Sequence, residues 1–453
     1  ALLCAASFMA VLDTTIVSVA LPSMRRHLQL SSEGVQWVLN AYTLTFGGLL
    51  LLGGRVADLF GRRRVFMSGL AVFAVSSFVG GLAADGWMLI AARFSQGLGA
   101  AALAPTSLAL LTTHFAEGDE RNRALGAYGA MAGLGFVAGM LLGGALTELL
   151  SWRWVMFVNV PIALVVFVLA PAALSESTEQ HAGRGVDVPG AVALPLGLGI
   201  VIYGLTKANE WGWTSDTLGF VGVGVALLFA WVVIERRSSA PLVPLNVFRV
   251  RRVFVANTVM MLKATVGISQ LFILTLYFQD VLRKTPMQTG VLFIPMTAAS
   301  VVAAVLGGRL VSRLGPKTTA TLGLLLLLTG IALMAQLSAD GTLALVLTGM
   351  VVAEGGFMLA EVPMTLVAST SVEEDRRALA GGILNTSLQL GHAVGLGVIA
   401  AIVTAGATLA PGPSTAREAL VTGFRYGFIG GAGFVCLALV VLVGFLPQTI
   451  HKA

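Results

Sequence analysis

The chain has 453 residues, of which 57% are hydrophobic and only 11% charged, less than half the charge of an ordinary soluble domain. That composition excludes a water-soluble enzyme, a nucleic-acid partner and a disordered protein, and leaves a polytopic membrane protein. The formal charge of +6 fits arginine-rich cytoplasmic loops, and the two cysteines, Cys4 and Cys436, lie in apolar runs that imply neither a disulfide framework nor a thiolate metal site.

A helix needs about 20 apolar residues to cross the hydrocarbon core. Fourteen candidate spans follow in order, at roughly 2–22, 34–54, 65–84, 87–112, 123–149, 154–174, 187–207, 217–235, 253–281, 287–310, 317–337, 342–370, 378–408 and 425–446. The first carries Asp13 and has no cleavage site, so it reads as a retained transmembrane helix rather than a signal peptide. The chain opens without Met, so a natural amino-terminal tail is expected before it. After span 2 comes Gly54-Arg55-Val56-Ala57-Asp58-Leu59-Phe60-Gly61-Arg62-Arg63-Arg64. After span 10 comes a second version, Gly308-Arg309 to Gly315-Pro316-Lys317, with both glycines offset by 254 residues from the first pair. Setting spans 7 and 8 aside as an insertion puts both copies after the second helix of a six-helix half. Two parallel halves are a known transporter plan. The expected division is therefore 1–174 for the first half, 175–252 for a linker and two inserted helices, and 253–453 for the second half. The linker carries Glu176, Glu179, His181, Arg184 and Asp187. With an even number of spans both termini share one side; eighteen Lys and Arg lie on that side against eight on the other, which makes it cytoplasmic.

Several ordered motifs point to one family. Leu12-Asp13-Thr14-Thr15 through Leu21-Pro22 lies in span 1, Gly54 to Arg64 follows span 2, and Arg93-Phe94-Ser95-Gln96-Gly97-Leu98-Gly99-Ala100 lies in span 4. Span 5 has Gly135, Gly139, Gly143 and Gly144; Ser151-Trp152-Arg153-Trp154 and Asn159-Val160-Pro161 come next, and Asn385-Thr386-Ser387 with Gln389-Leu390-Gly391 lies in span 13. In these motifs, over essentially its whole length, the chain resembles the major facilitator superfamily and, within it, the fourteen-span drug:proton antiporter family. The resemblance implies an all-α polytopic major facilitator fold, with two six-helix halves plus two inserted helices. It also implies that the first and fourth helices of each half line a central cavity. Span 5 departs from the antiporter pattern, because Met140 follows Gly139 where proline is expected and the missing ring removes a kink. Its glycines still permit close helix packing, and a packing role competes with a coupling role.

Five ionisable residues lie within spans: Asp13, Arg93, Lys263, Glu354 and Glu361. Each costs roughly 2.5–3.5 kcal/mol at the bilayer centre on the lenient scale, so each is expected to face a partner or a cavity. All five fall on helices that the resemblance assigns to the cavity. At about 1.5 Å per residue, Asp13 lies about 14 Å and Arg93 about 9–10 Å below the outer surface, so they can pair. By the same measure Lys263 and Glu354 are nearly level, which predicts either a structural ion pair or a functional one. Glu361 is expected at the inner mouth, either solvated or binding substrate. Gln270 shares the helical face of Lys263. His392 reads as a proton shuttle or as a packing residue, and Asn40, Gln96 and Gln389 as cavity groups or interhelical hydrogen bonds. In the loop motif, Gly54 and Gly61 permit tight turns and close helix approach. Asp58 is expected to bond a neighbouring helix end or a cation across the halves, gating the cytoplasmic side. Arg62, Arg63 and Arg64 anchor the loop and can meet anionic lipid.

Together these features read as a secondary active transporter in the inner (cell) membrane of a bacterium, exporting drugs or amphipathic small molecules by alternating access. Asp13 would carry the proton, with Arg93 beside it and Glu354 as a second coupling group. The expectation includes a monomer surrounded by membrane lipid, an amphipathic or cationic small-molecule substrate, no cofactor and no metal, with the proton gradient as energy source. The alternatives are a dedicated exporter of one metabolite (an antibiotic) or lipid and, more remotely, a polytopic membrane enzyme. The enzyme reading lacks both a long loop and a nucleophile or metal cluster; no P-loop offers ATP drive.

Overall fold

The computed structural model describes residues 2–115, 119–174, 187–211, 214–238, 241–243, 245–339, 343–373, 377–408 and 415–447, and these are helical throughout apart from their connections. The linker residues Glu176, Glu179, His181 and Arg184 lie outside the described residues. In chain order the helices are α1 (Leu2–Leu28), α2 (Ser32–Phe60), α3 (Arg62–Gly81), α4 (Gly86–His114), α5 (Asp119–Leu149), α6 (Arg153–Phe157), α7 (Asn159–Ala173), α8 (Val188–Trp211) and α9 (Ser215–Arg237). Then come α10 (Arg251–Leu276), α11 (Pro286–Leu292), α12 (Ile294–Leu314), α13 (Pro316–Met334), α14 (Leu343–Thr370), α15 (Arg377–Thr408) and α16 (Ala416–Phe445). Fourteen segments among the described residues are long and apolar enough to cross a membrane. The chain is a multi-pass membrane protein.

Two spans are broken, each for a local reason. Span 6 divides at Val158 into α6 and α7; Pro161 has no N–H to give the Phe157 carbonyl, so the helical ladder is interrupted there. The break sets Asn159 at the start of α7, buried in the protein. Span 10 divides at Phe293, where Pro295 opens α12. By contrast α5 runs unbroken through Met140, as expected for a helix lacking the motif proline.

Other helix ends are closed by the chain itself. Ser31 caps α2 by accepting from the Gly34 N–H at 3.1 Å, and Asp85 caps α4 by accepting from Met88 at 2.8 Å. Thr415 and Glu418 form a reciprocal capping box at the start of α16. Arg153 closes α3 by donating to the carbonyls of Gly81 and Ala83, both at 2.8 Å. The two loop-motif glycines make equivalent turns: Gly61 joins α2 to α3 at φ +100°, and Gly315 joins α12 to α13 at φ +80°. Both angles lie where a side chain is costly.

The chain forms two compact units. One comprises Ala1–Gly199, Val223–Val243 and Thr285–Val291, and the other Ile200–Gly222, Pro244–Lys284 and Leu292–Ala453. The inserted helices α8 and α9 each contribute residues to both units.

Within the first unit, α3 and α4 meet backbone to backbone. A Cβ on Gly99 would stand 2.8 Å from the Gly69 carbonyl oxygen, and one on Gly69 would stand 3.0 Å from that of Gly99. Within the second unit α13 and α14 do the same through Gly323 and Gly356, where each glycine's Cβ would crowd the other's carbonyl. Gly323 stands 254 residues after Gly69, so the internal repeat extends from the loop motif into the packing that follows it. Without a hydrophobic drive between helices in lipid, such close approach supplies much of the attraction.

Forcing a side chain into either contact tests this. Gly99→Val and Gly356→Val are each expected to destabilise by about 1–3 kcal/mol, seen as a lower thermal unfolding midpoint in detergent. Gly308→Ala, where a Cβ meets nothing within 4 Å, is the control and should unfold at or slightly above the parent's midpoint.

Candidate functional site

In the first unit the chain gathers a polar cluster around Asp13, itself fully buried on α1. Arg93 of α4 donates through Nη1 to Asp13 Oδ2 at 2.5 Å, and both side chains have no exposed surface. Two amides hold the other oxygen: Gln96 Nε2 donates to Oδ1 at 2.7 Å and Asn159 Nδ2 at 2.8 Å. Arg93 Nη1 also donates to Gln96 Oε1 at 2.7 Å, and Gln96 Nε2 reaches Ser77 Oγ on α3 at 2.6 Å. Arg93 Nε donates to the Val38 carbonyl at 3.1 Å, and its guanidinium lies 4.3 Å from the centre of the Tyr42 ring. Five helices thus converge on one carboxylate, which receives donors on both oxygens. Asn40, expected as a cavity group or an interhelical hydrogen bond, is fully buried with neither amide atom hydrogen-bonded among the described residues.

The glycines of α5 lie against the helix that carries Asp13. A Cβ on Gly135 would crowd the Phe8 carbonyl, on Gly139 Thr15 and the Leu12 carbonyl, and on Gly143 the backbone of Ile16. Gly144 faces Pro286 and Met287 of α11 instead. These glycines form the close-packed seam between α1 and α5.

The second unit holds a separate charged cluster, and here the pairing differs from the sequence expectation. Lys263 of α10, fully buried, donates through Nζ to Glu361 Oε2 at 2.8 Å and to the Phe357 carbonyl at 3.2 Å, with its ammonium 3.4 Å from the Phe357 ring centre. Glu354, expected as the partner of Lys263, instead accepts from Ser300 of α12 at 3.0 Å. Equal depth along the axis misleads because side chains lean toward the start of their own helix. On the orientation set by the loop charges, α10 starts on the cytoplasmic side and α14 on the opposite side. Lys263 therefore leans inward and Glu361 outward, and the two meet. Glu361 keeps 27% of its side-chain surface exposed and is tied to Lys263 rather than standing free at the mouth. His392 Nδ1 lies 3.1 Å from Gln389 Oε1, one turn back on α15, and its Nε2 lies beside Gly267 of α10. Gln270, also on α10, is buried with its Nε2 unbonded among the described residues.

Asp58 accepts from Arg62, the first residue of α3, at 3.2 Å. Arg63 donates to the Leu174 carbonyl at 3.1 Å and closes the end of α7. Gly54 lies within α2 rather than in a turn, and a Cβ built on it would meet Pro105 of α4 only at an ordinary contact distance.

Ser77, Ser300 and Phe357 were not among the expected site residues, and Asn159 was expected only as part of a motif. Small hydroxyls in apolar spans carry no distinctive pattern. Asn159 has a clearer signal, an amide two residues before a proline in an otherwise apolar run.

The chain matches the Major Facilitator Superfamily family profile over residues 3–396. It is 39% identical to the cephamycin export protein CmcT of Amycolatopsis lactamdurans, in an alignment covering 98% of this chain and 91% of that protein. It is 37% identical to the puromycin resistance protein pur8 of Streptomyces alboniger, over 99% of this chain and 91% of that one. Among solved structures it resembles the nucleoside transporter NupG, with a TM-score of 0.67 at 13% identity over 99% of this chain and 100% of that chain. A bacterial homolog of the human lysosomal transporter Spinster, in an inward-facing and occupied conformation, gives a TM-score of 0.68 at 17% identity over 100% of this chain and 98% of that one. At those identities the structural likeness establishes the fold alone.

Paired substitutions check the second-unit geometry. Lys263→Met strands the Glu361 carboxylate and should cost about 3–5 kcal/mol. Adding Glu361→Gln should restore the thermal unfolding midpoint, whereas adding Glu354→Gln should not.

Proposed function

The chain belongs to the Major Facilitator Superfamily, and on that premise we propose that it is a proton-driven exporter of amphipathic or cationic small molecules, working by alternating access. The single observation that carries the coupling half of this reading is the Asp13 cluster. A carboxylate buried in a membrane helix is costly unless partnered and marks a proton or ion pathway more often than a packing device. Here both oxygens already receive donors from Arg93, Gln96 and Asn159. A proton arriving at the carboxylate cancels the charge that holds Arg93 Nη1. Protonation therefore weakens the α1–α4 ion pair and leaves Arg93 without its counter-charge, which gives an arriving proton a mechanical consequence. Glu354, held by Ser300 alone among the hydrogen-bonding side chains of the described residues, is the second coupling candidate, and Lys263, Glu361 and His392 supply polar groups for a substrate. Gly61, with Asp58, Arg62 and Arg63 beside it, forms the gating turn, and Gly54 lies within α2.

Relatives named for cephamycin export and puromycin resistance support small-molecule efflux across a bacterial cell membrane, and transport rather than catalysis. A narrower reading, export of one compound, is favoured by the fixed Lys263–Glu361 pair, since a set charge pattern suits one substrate better than many. A monomer with no cofactor, drawing on the proton gradient, completes the reading.

Asp13→Asn keeps the shape and removes the titrating group. In proteoliposomes with an imposed pH gradient, gradient-driven efflux of a cationic dye is expected to be lost in this variant. Its unfolding midpoint should fall because Arg93 loses its counter-charge, so efflux is compared at equal amounts of folded, reconstituted protein. Efflux at the parent's rate would remove Asp13 from the coupling mechanism.

A further inference from the structure

The inserted helices α8 and α9 carry a carboxyl pair that the transport reading does not use. Asp187 stands at the start of α8; its carbonyl accepts from Ala191 at 3.0 Å and its Oδ1 from the Gly190 N–H at 2.9 Å. Glu235 stands near the end of α9 and accepts through Oε2 from the Val243 N–H at 3.2 Å. Each carboxylate is thus held by one oxygen, which fixes where the other points. The remaining oxygens, Asp187 Oδ2 and Glu235 Oε1, have no hydrogen-bond partner among the described residues, although the two residues are only 7% and 3% exposed. Both oxygens face the same spot. A Cβ on Gly190 would stand 2.9 Å from Glu235 Oε1 and 3.0 Å from Asp187 Oδ2, which brings the two oxygens within the roughly 4–6 Å over which like charges oppose double ionisation. The indole of Trp231 and the backbone N–H groups of Leu242 and Val243 complete the surroundings of Glu235, and Asp187 is the one titratable group acting on it among the described residues.

We propose that Asp187 and Glu235 form a proton-binding site that holds one proton between Oδ2 and Oε1. An ionised carboxylate only accepts hydrogen bonds, so two buried, facing acceptors need a hydrogen between them, and a proton on either oxygen supplies the other with its missing donor. It also removes one of two uncompensated buried charges. A divalent metal fits less well, because Ca²⁺ takes six to eight oxygen ligands and no third His, Cys, Asp or Glu joins the pair among the described residues. The bridge ties the start of α8 to the end of α9 and to the segment after it. On the charge pattern of the loops this end faces the cytoplasm, so the occupant comes from there and not by way of Asp13.

Infrared difference spectra of the full chain in lipid nanodiscs at neutral pH test the proposal directly. The carbonyl stretch of a protonated carboxylic acid is expected in the parent and lost in both Asp187→Asn and Glu235→Gln. The asparagine variant keeps an Oδ1 to cap α8 and offers a permanent N–H to Glu235 Oε1. Its unfolding midpoint should therefore stay level as pH rises, over the range where the parent loses both the band and stability. A band left unchanged by either substitution would overturn the proposal. So would a rise in the parent's midpoint with Mg²⁺, Ca²⁺ or Na⁺ that abolishes the band, since the site would then hold a metal cation.

Discussion

Hydrocarbon gives an ionised side chain no water, so any charge carried into a membrane span has to find its counter-charge and donors inside the protein. Asp13 and Arg93 meet that constraint together, each with no exposed surface. The consequences spread outward from their contact. Gln96 and Asn159 take up the remaining carboxylate oxygen, Ser77 bonds both amides, and the Arg93 guanidinium lies over Tyr42. The break in span 6 puts Asn159 where it can serve, and the glycine seam of α5 lets α1 sit close enough to be held. A single buried ion pair thereby accounts for polar residues on five helices and for a proline that would otherwise be a defect.

The second unit solves the same problem with different chemistry. Lys263 is compensated by a carboxylate, a carbonyl and an aromatic face on two successive turns of α14. Glu354 is left with a hydroxyl partner. Two carboxylates and one ammonium do not balance, whereas Asp13 and Arg93 do. The two units therefore share a scaffold, down to the paired glycine contacts of α3 with α4 and α13 with α14, without sharing their electrostatics. A repeated fold can diverge in this way because the scaffold rests on backbone approach and small residues, which leaves the inward side chains free to vary.

The proposed proton-driven efflux requires an element with two arrangements that the driving ion can choose between. A buried carboxylate that is charged beside an arginine, or neutralised by a proton, is such an element. Its protonation acts on a contact between α1 and α4. The loop motif, with its glycine turn and the Asp58–Arg62 bond, lies at the end of α2 and changes the chain direction sharply at Gly61.

The fourteen spans, the membrane class, the two-fold repeat and the identity of the five charges within spans were legible in the sequence, because apolar length and charge spacing are properties of single helices. The Asp13–Arg93 contact was also within reach, since the depth of each residue follows from rise per residue. The partners of Lys263 and Glu354 were not. Their choice depends on which way a side chain leans along its helix and on what the facing helix presents, and a depth estimate along one axis contains neither. Ser77, Ser300 and Asn159 stayed obscure because a hydroxyl or amide in an apolar span gains its role only when another helix delivers a charge to it. The facing of Asp187 and Glu235 likewise joins residues 48 positions apart, at opposite ends of two helices. The sequence by itself determined how many helices cross the membrane and which of them carry charge; the tertiary structure decided which charges meet, because that depends on side-chain direction and helix contact rather than on composition.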